Sequence, residues 1–325
     1  MPNIYSLSYC IPDEYIISDQ EFLNNVMRKT KIIADIIPGK LETYRFGADD
    51  EAAYYGLYKS SFFAYTMKKG GWDCLRHYEI LASGCIPIFP DLAHCPTDTM
   101  YVFPKQLVME ANRDLLPWNH MKIVKYCWYV LRLLDYMRKT LSCSAVASVF
   151  LYNMQREARL TRPIQKILLI QGHAGVNYSR ELLWIGVKRQ LQANGGVAID
   201  WPKIKSIYTD IDADTRKKLY GFGYTYSGKV EQDYVFIEET VREWIRQKKW
   251  DIVVYGKVGP DEGGEGSLPN MPLWDEVSRA YSPGEIAFVY GGDGMQDMLW
   301  ENNYSRHLWG HQSAGVCFVR EYKTI

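Results

Sequence analysis

Two periodicities alternate along the chain. In the first half, short apolar or in-out alternating runs at residues 4–9, 41–46, 62–66, 86–89 and 101–103 predict strands. Apolar residues at helical spacing predict helices at 49–58, 74–83, 120–139 and 144–159. Residues 158–165 are charged and carry Pro163, and a buried-strand pattern, Lys166-Ile-Leu-Leu-Ile170, follows them. That break predicts a domain boundary, with units at 1–160 and 165–325. The second unit opens with a strand at 166–170, a loop at 171–177 and a helix at 178–192, whose apolar positions include Leu182, Leu183, Ile185 and Leu191. A helix at 234–248, strands at 251–255 and 286–290 and a glycine-rich acidic loop at 261–267 complete the pattern. Alternating strands and helices predict an α/β fold with parallel sheets, in two Rossmann-like units.

Composition narrows the chemistry. Lys plus Arg and Asp plus Glu number 38 each, so no net field draws nucleic acid or an anionic membrane, and any anion site must be local. No apolar run reaches the roughly eighteen residues that a membrane span needs. The first residues lack a basic flank and an apolar core, and the seven cysteines form no paired metal or redox motif. These features predict a protein of the cytoplasm with reduced thiols.

One stretch concentrates chemistry: Lys68-Lys-Gly-Gly-Trp-Asp-Cys-Leu-Arg-His-Tyr-Glu79. Asp73 is a helix-capping residue and Gly84 a helix stop. Lys68, Lys69, Gly70 and Gly71 then form a loop feeding a helix start. Glycines admit a close ligand, the helix start offers amide hydrogens and the lysines add charge, which together make a phosphate seat. Arg76 and Glu79 stand three apart on one helical face. There they form either a surface pair worth about 0.2–0.5 kcal/mol or a guanidinium for phosphate and a carboxylate for ribose, each bond worth about 1.5–3 kcal/mol. Neither Gly-x-x-x-x-Gly-Lys-Ser/Thr nor Gly-x-Gly-x-x-Gly occurs, which counts against ATPase and dehydrogenase readings.

Residues 62–91, with Arg76, Glu79, Gly84, Cys85, Ile86 and Pro87 at their spacings, resemble the nucleotide-sugar signature of exostosin-like glycosyltransferases. The Lys68–Glu79 run is similar to glycosyltransferases of large DNA viruses of algae and other protists. The resemblance implies a GT-B-type fold, two Rossmann-like domains facing a cleft, with the donor domain first, the reverse of the usual order. It implies a UDP-sugar donor, with xylose, glucuronic acid or a hexose as the sugar, and a glycan hydroxyl as acceptor. It also implies no metal and no cofactor, and for a viral member the host cytoplasm. Glu79 would hold the ribose, and Arg76 with residues 69–74 the diphosphate. The full donor set is Arg45, Thr66, Lys68, Lys69, Gly70, Gly71, Trp72, Asp73, Cys74, Arg76 and Glu79. Arg45 enters as a second cation at a predicted strand end, and Trp72 as a ring for sugar or base. Retaining relatives often carry a second glutamate eight residues before the ribose-binding one. Gly71 stands there, which favours inversion.

An inverting transfer needs a base, a contribution of about 10²–10⁴-fold, at the carboxyl ends of strands in the second unit. His173 and Asp293 are the candidates, with Glu181 and Asp297 in reserve, and spacing does not choose between the first two. Asp210, Asp212 and Asp214 offer a different chemistry, a metal-dependent GT-A-type transferase. A solvated loop and helix cap accounts for the same residues. A non-catalytic nucleotide-sugar-binding module is the remaining alternative.

Overall fold

The computed structural model describes residues 4–172, 175–232, 234–258, 268–292 and 310–321. Among them the strands form two parallel sheets, one of six strands and one of three. The larger contains β1 (Ile4–Ser6), β5 (Lys166–Gln171), β6 (Val197–Trp201), β7 (Ile252–Gly256), β8 (Ile286–Tyr290) and β9 (Val316–Val319). Its order is β1-β9-β8-β7-β5-β6. β7, β8 and β9 are buried at every position, and their continuous runs Ile-Val-Val-Tyr-Gly, Ile-Ala-Phe-Val-Tyr and Val-Cys-Phe-Val suit strands covered on both faces. From β5 the chain reaches β6 on one side and later β7 on the other. The carboxyl ends of β5 and β7 therefore bound a topological switch point, where open parallel sheets leave a crevice.

The smaller sheet is β2 (Lys31–Ile33), β3 (Ser61–Tyr65) and β4 (Ile86–Ile88), with β3 central. Helices α1 (Asp19–Asn25), α2 (Glu51–Lys59), α3 (Leu75–Ala82), α4 (Lys105–Leu115) and α5 (Ile123–Thr140) belong to this half. α6 (Cys143–Glu157) leads into β5, and α7 (Tyr178–Ala193) follows it. α6 and α7 pack so closely that a Cβ on Gly186 would lie 2.1 Å from the Cys143 carbonyl oxygen. One apolar core runs through both halves, from Phe63, Tyr78 and Leu134 to Trp184, Val254 and Phe318. α8 (Ala213–Lys217), α9 (Glu238–Arg246) and α10 (Trp274–Ala280) complete the described helices. No helix among the described residues is long and apolar enough to cross a membrane.

The α/β class and the two parallel, Rossmann-like sheets agree with the sequence pattern. Several elements differ. Residues 41–46 form a 3-10 turn, Leu41–Thr43, and a loop. Downstream of Pro38-Gly39, the Thr43 hydroxyl accepts from the Ile37 amide at 3.1 Å and donates to the Lys40 carbonyl at 2.7 Å, so local bonds displace a ladder. Residues 101–103 lie in turns after Met100, whose φ is 50°. The helix expected from 234 starts at Glu238, and the loop at 261–267 lies outside the described residues. β1 pairs with β9, Ile4 opposite Cys317, so the first strand of the expected 1–160 unit stands in the sheet of the second half.

Candidate functional site

A cleft of about 940 Å³ lies between the ends of the two sheets. Its first wall is the segment that leaves β3, runs through the glycine loop and enters α3. Thr66, Lys69, Gly70, Gly71, Asp73, Cys74, Arg76 and Glu79 all line it. Its second wall is the start of α7, Val176 to Tyr178, with Gly291 and Gly292 after β8. A Cβ on Gly291 would lie 2.3 Å from the Asn177 side chain, so only glycine lets these two segments meet. Aromatic rings, among them Tyr44, Phe46, Tyr54, Tyr178 and Tyr224, fill in the sides.

The start of α3 differs from the sequence reading in its cap. Cys74, not Asp73, is the N-cap, and no side chain caps the helix. Asp73 is turned inward instead, where its carboxylate accepts from the Tyr9 amide and the Tyr78 hydroxyl, each at 2.7 Å. Burial pushes its carboxyl up to about 6, against the pull of Arg320 and those donors. Arg76 stacks over the Tyr44 ring at 4.9 Å and donates to the Tyr44 hydroxyl at 2.8 Å. Its Nε is buried with no partner among the described residues. Burial alone would ease its proton off, but Tyr54, Tyr58, Tyr44 and Glu79 outweigh that and hold it higher still. Glu79 is buried; its carboxylate accepts from Tyr54 at 2.5 Å and Thr225 at 2.6 Å. Burial raises its pKa, and the two hydroxyls oppose the shift.

His77 fixes the loop from beneath. One ring nitrogen, Nε2, lies 2.9 Å from the Trp72 carbonyl, which can only accept, so Nε2 carries the proton and Nδ1 accepts from the Thr66 hydroxyl at 2.8 Å. Burial holds this imidazole down to about 3, and the fold therefore keeps it neutral. The unfolded chain takes up a proton there below about pH 6.5, so this contribution is complete above that pH and is lost as pH falls. Between pH 7.5 and 4.5 the wild type should lose about 2–3 kcal/mol relative to His77→Gln. Urea unfolding of both proteins at the two pH values measures it; parallel losses would refute the assignment.

The other expected residues divide. Lys68 sits 5.3 Å over the Trp72 ring, and Trp72 is buried near Phe89. Neither lines the cleft. Arg45 follows a 3-10 turn rather than a strand, is exposed and donates to the Glu42 carbonyl at 3.2 Å, also off the cleft. Glu181 is fully buried, 2.7 Å from Arg180 and accepting from the Asn177 amide at 3.0 Å, so it secures the start of α7 and does not face the cleft. His173, Asp293 and Asp297 lie outside the described residues. In the acidic run, Asp212 caps α8 by accepting from the Thr215 amide at 2.8 Å, and Asp210 pairs with Lys203 at 3.0 Å.

Arg320 escapes any local reading of the sequence. Buried at the end of β9, it donates to the Gly291 carbonyl at 2.9 Å and the Asp73 carbonyl at 2.7 Å, so one guanidinium holds both walls. It pairs with Glu321 at 2.9 Å, and Glu321 in turn accepts from the Asp73 amide at 2.8 Å. A smaller cavity of about 270 Å³ near α1 and α2 has its lysines engaged, Lys29 by the Lys59 and Ser61 carbonyls and Lys59 by Glu21.

No family model, curated protein or solved structure matches the chain. The likeness of residues 62–91 to exostosin-like enzymes rests on those residues alone.

Proposed function

We propose that the protein is a glycosyltransferase of the GT-B type that moves a sugar from a UDP-sugar to a glycan hydroxyl, with inversion and without a metal. The observation that carries this reading is the meeting, on one wall of the cleft, of an uncapped α3 start, the Gly70-Gly71 loop, Lys69, Arg76 and Glu79. The buried Arg76 Nε lacks a partner among the described residues, as a donor kept for an anionic ligand would. Volume supports the scale, since small-molecule sites occupy about 300–1,000 Å³. The opposite wall, at the switch point of the larger sheet, suits an acceptor.

In this reading the acceptor oxygen attacks the anomeric carbon as the bond from that carbon to the diphosphate oxygen breaks. The hydroxyl proton passes to His173 or Asp293. UDP leaves with its new charge against Lys69, Arg76 and the amides of α3. Glu79 retains acceptor capacity for ribose hydroxyls, because a carboxylate offers about four lone-pair sites and two are engaged. UDP as the nucleotide and xylose, glucuronic acid or a hexose as the sugar come from the resemblance of residues 62–91.

A thermal-shift and saturation-transfer NMR screen across UDP, GDP, ADP, CMP and the UDP-sugars tests the class. UDP and at least one UDP-sugar should raise Tm. Donor hydrolysis or transfer should persist in EDTA and fall by about 10²-fold or more in His173→Ala or Asp293→Ala while UDP affinity stays. A screen in which no nucleotide binds defeats the reading.

A further inference from the structure

The segment Tyr220-Gly-Phe-Gly-Tyr224 projects into the cleft from the second half of the chain. Its backbone is unusual. Gly221, Phe222 and Gly223 have φ of 60°, 55° and 73°, and Thr225 has 75°. A side chain makes that region costly, a β-branched one most of all, so surrounding contacts must impose it. Those contacts are present: Thr225 donates its amide to Glu51 at 2.7 Å and its hydroxyl to Glu79 at 2.6 Å, and Tyr226 donates to the Tyr220 carbonyl at 3.0 Å. A Cβ on Gly221 would sit 2.9 Å from the Tyr178 hydroxyl.

What this strained arm achieves is exposure. Tyr220 remains 72% accessible and Phe222 37%, both on the cleft. Behind them run two strings of rings. Tyr220 meets Tyr178 at 5.7 Å, and Tyr178 meets Tyr9 at 5.8 Å. Phe222 meets Tyr224 at 6.1 Å, and Tyr224 meets Tyr54 at 5.5 Å. The pairs at the mouth are inclined by 50° and 54°, so they leave no parallel slot for a flat base. Two cations just before the arm are engaged, Arg216 by Glu51 at 2.6 Å and Lys217 by Asp49 at 3.7 Å. Open, inclined and uncharged rings with phenol hydroxyls suit a neutral ligand that has apolar faces and a polar rim, which describes a pyranose.

We propose that the 220–224 arm is a platform for the sugar rings of a neutral oligosaccharide, which stack their C–H faces on Tyr220 and Phe222. That this oligosaccharide is the acceptor rests on the glycosyltransferase reading. The platform itself does not. Calorimetric titration of the full chain with cello-, xylo-, manno- and chito-oligosaccharides of four to six units, and separately with UDP, tests it. At least one series should bind the wild type, and the Tyr220→Ala/Phe222→Ala variant should bind it tenfold or more weakly, with UDP affinity within twofold. Both side chains are solvent-facing, and an unchanged Tm would verify that the variant folds. No binding by any series, or an unchanged affinity in the variant, overturns the platform. An equal loss of UDP affinity also overturns it, by assigning the rings to the nucleotide. If the wild type ignores UDP yet binds an oligosaccharide through these rings, the donor reading fails and the platform stands.

Discussion

Arg320→Met is expected to destabilise the fold by about 3–5 kcal/mol, the scale on which removing one partner from a buried ion pair acts. Arg320 and Glu321 are both inaccessible to solvent. Methionine would leave the Glu321 carboxylate without its 2.9 Å partner and strip a donor from the carbonyls of Gly291 and Asp73. It would also remove the cation held 4.7 Å over the Tyr9 ring. Urea unfolding measures the loss, and Arg320→Met/Glu321→Gln should recover part of it, because the stranded charge is gone. A single-variant loss under about 1 kcal/mol, or a double variant no better than the single, would mean that the pair does not bind the walls together as argued.

The same guanidinium shows where sequence reading stops. β3, α3 and β4 are legible because a buried apolar run, a glycine loop and helical spacing follow one another within residues 61–88. β5, β7 and β8 are legible for a similar reason: short uninterrupted apolar runs suit strands covered on both faces. β2 and β9 are not, since two isoleucines after Lys31, or a run of only four apolar residues, carry no period of their own and become strands through their neighbours. Leu41–Thr43 misleads in the other direction, an alternating pattern overruled by threonine bonds within a turn. The loop from Thr66 to Glu79 could be selected as a ligand seat from residue types alone. Its supports could not, because Arg320 and Thr225 reach it across 247 and 146 residues. The arm at 220–224 did leave a trace, glycines alternating with rings, a composition that fits a turn with φ above zero.

Arg76 and Glu79 stand one helical turn apart, and their variants should fail in opposite ways. Arg76→Ala is expected to weaken UDP by about 10–150-fold, the equivalent of one charge-assisted bond of about 1.5–3 kcal/mol, while uridine changes by less than about threefold. The guanidinium meets only the diphosphate in the proposed complex, and its loss from Tyr44 removes a part-buried ring contact and one hydrogen bond, both of modest worth. Glu79→Gln should weaken UDP and uridine alike, by about tenfold, and leave inorganic pyrophosphate unchanged. Glutamine is the informative change because alanine would also strand the Tyr54 and Thr225 hydroxyls. Calorimetry with UDP, uridine and pyrophosphate on both variants reads the pattern. Equal losses of UDP and uridine in Arg76→Ala would make Arg76 a brace for the Tyr44 wall, and the α3 start would then have no claim to a diphosphate.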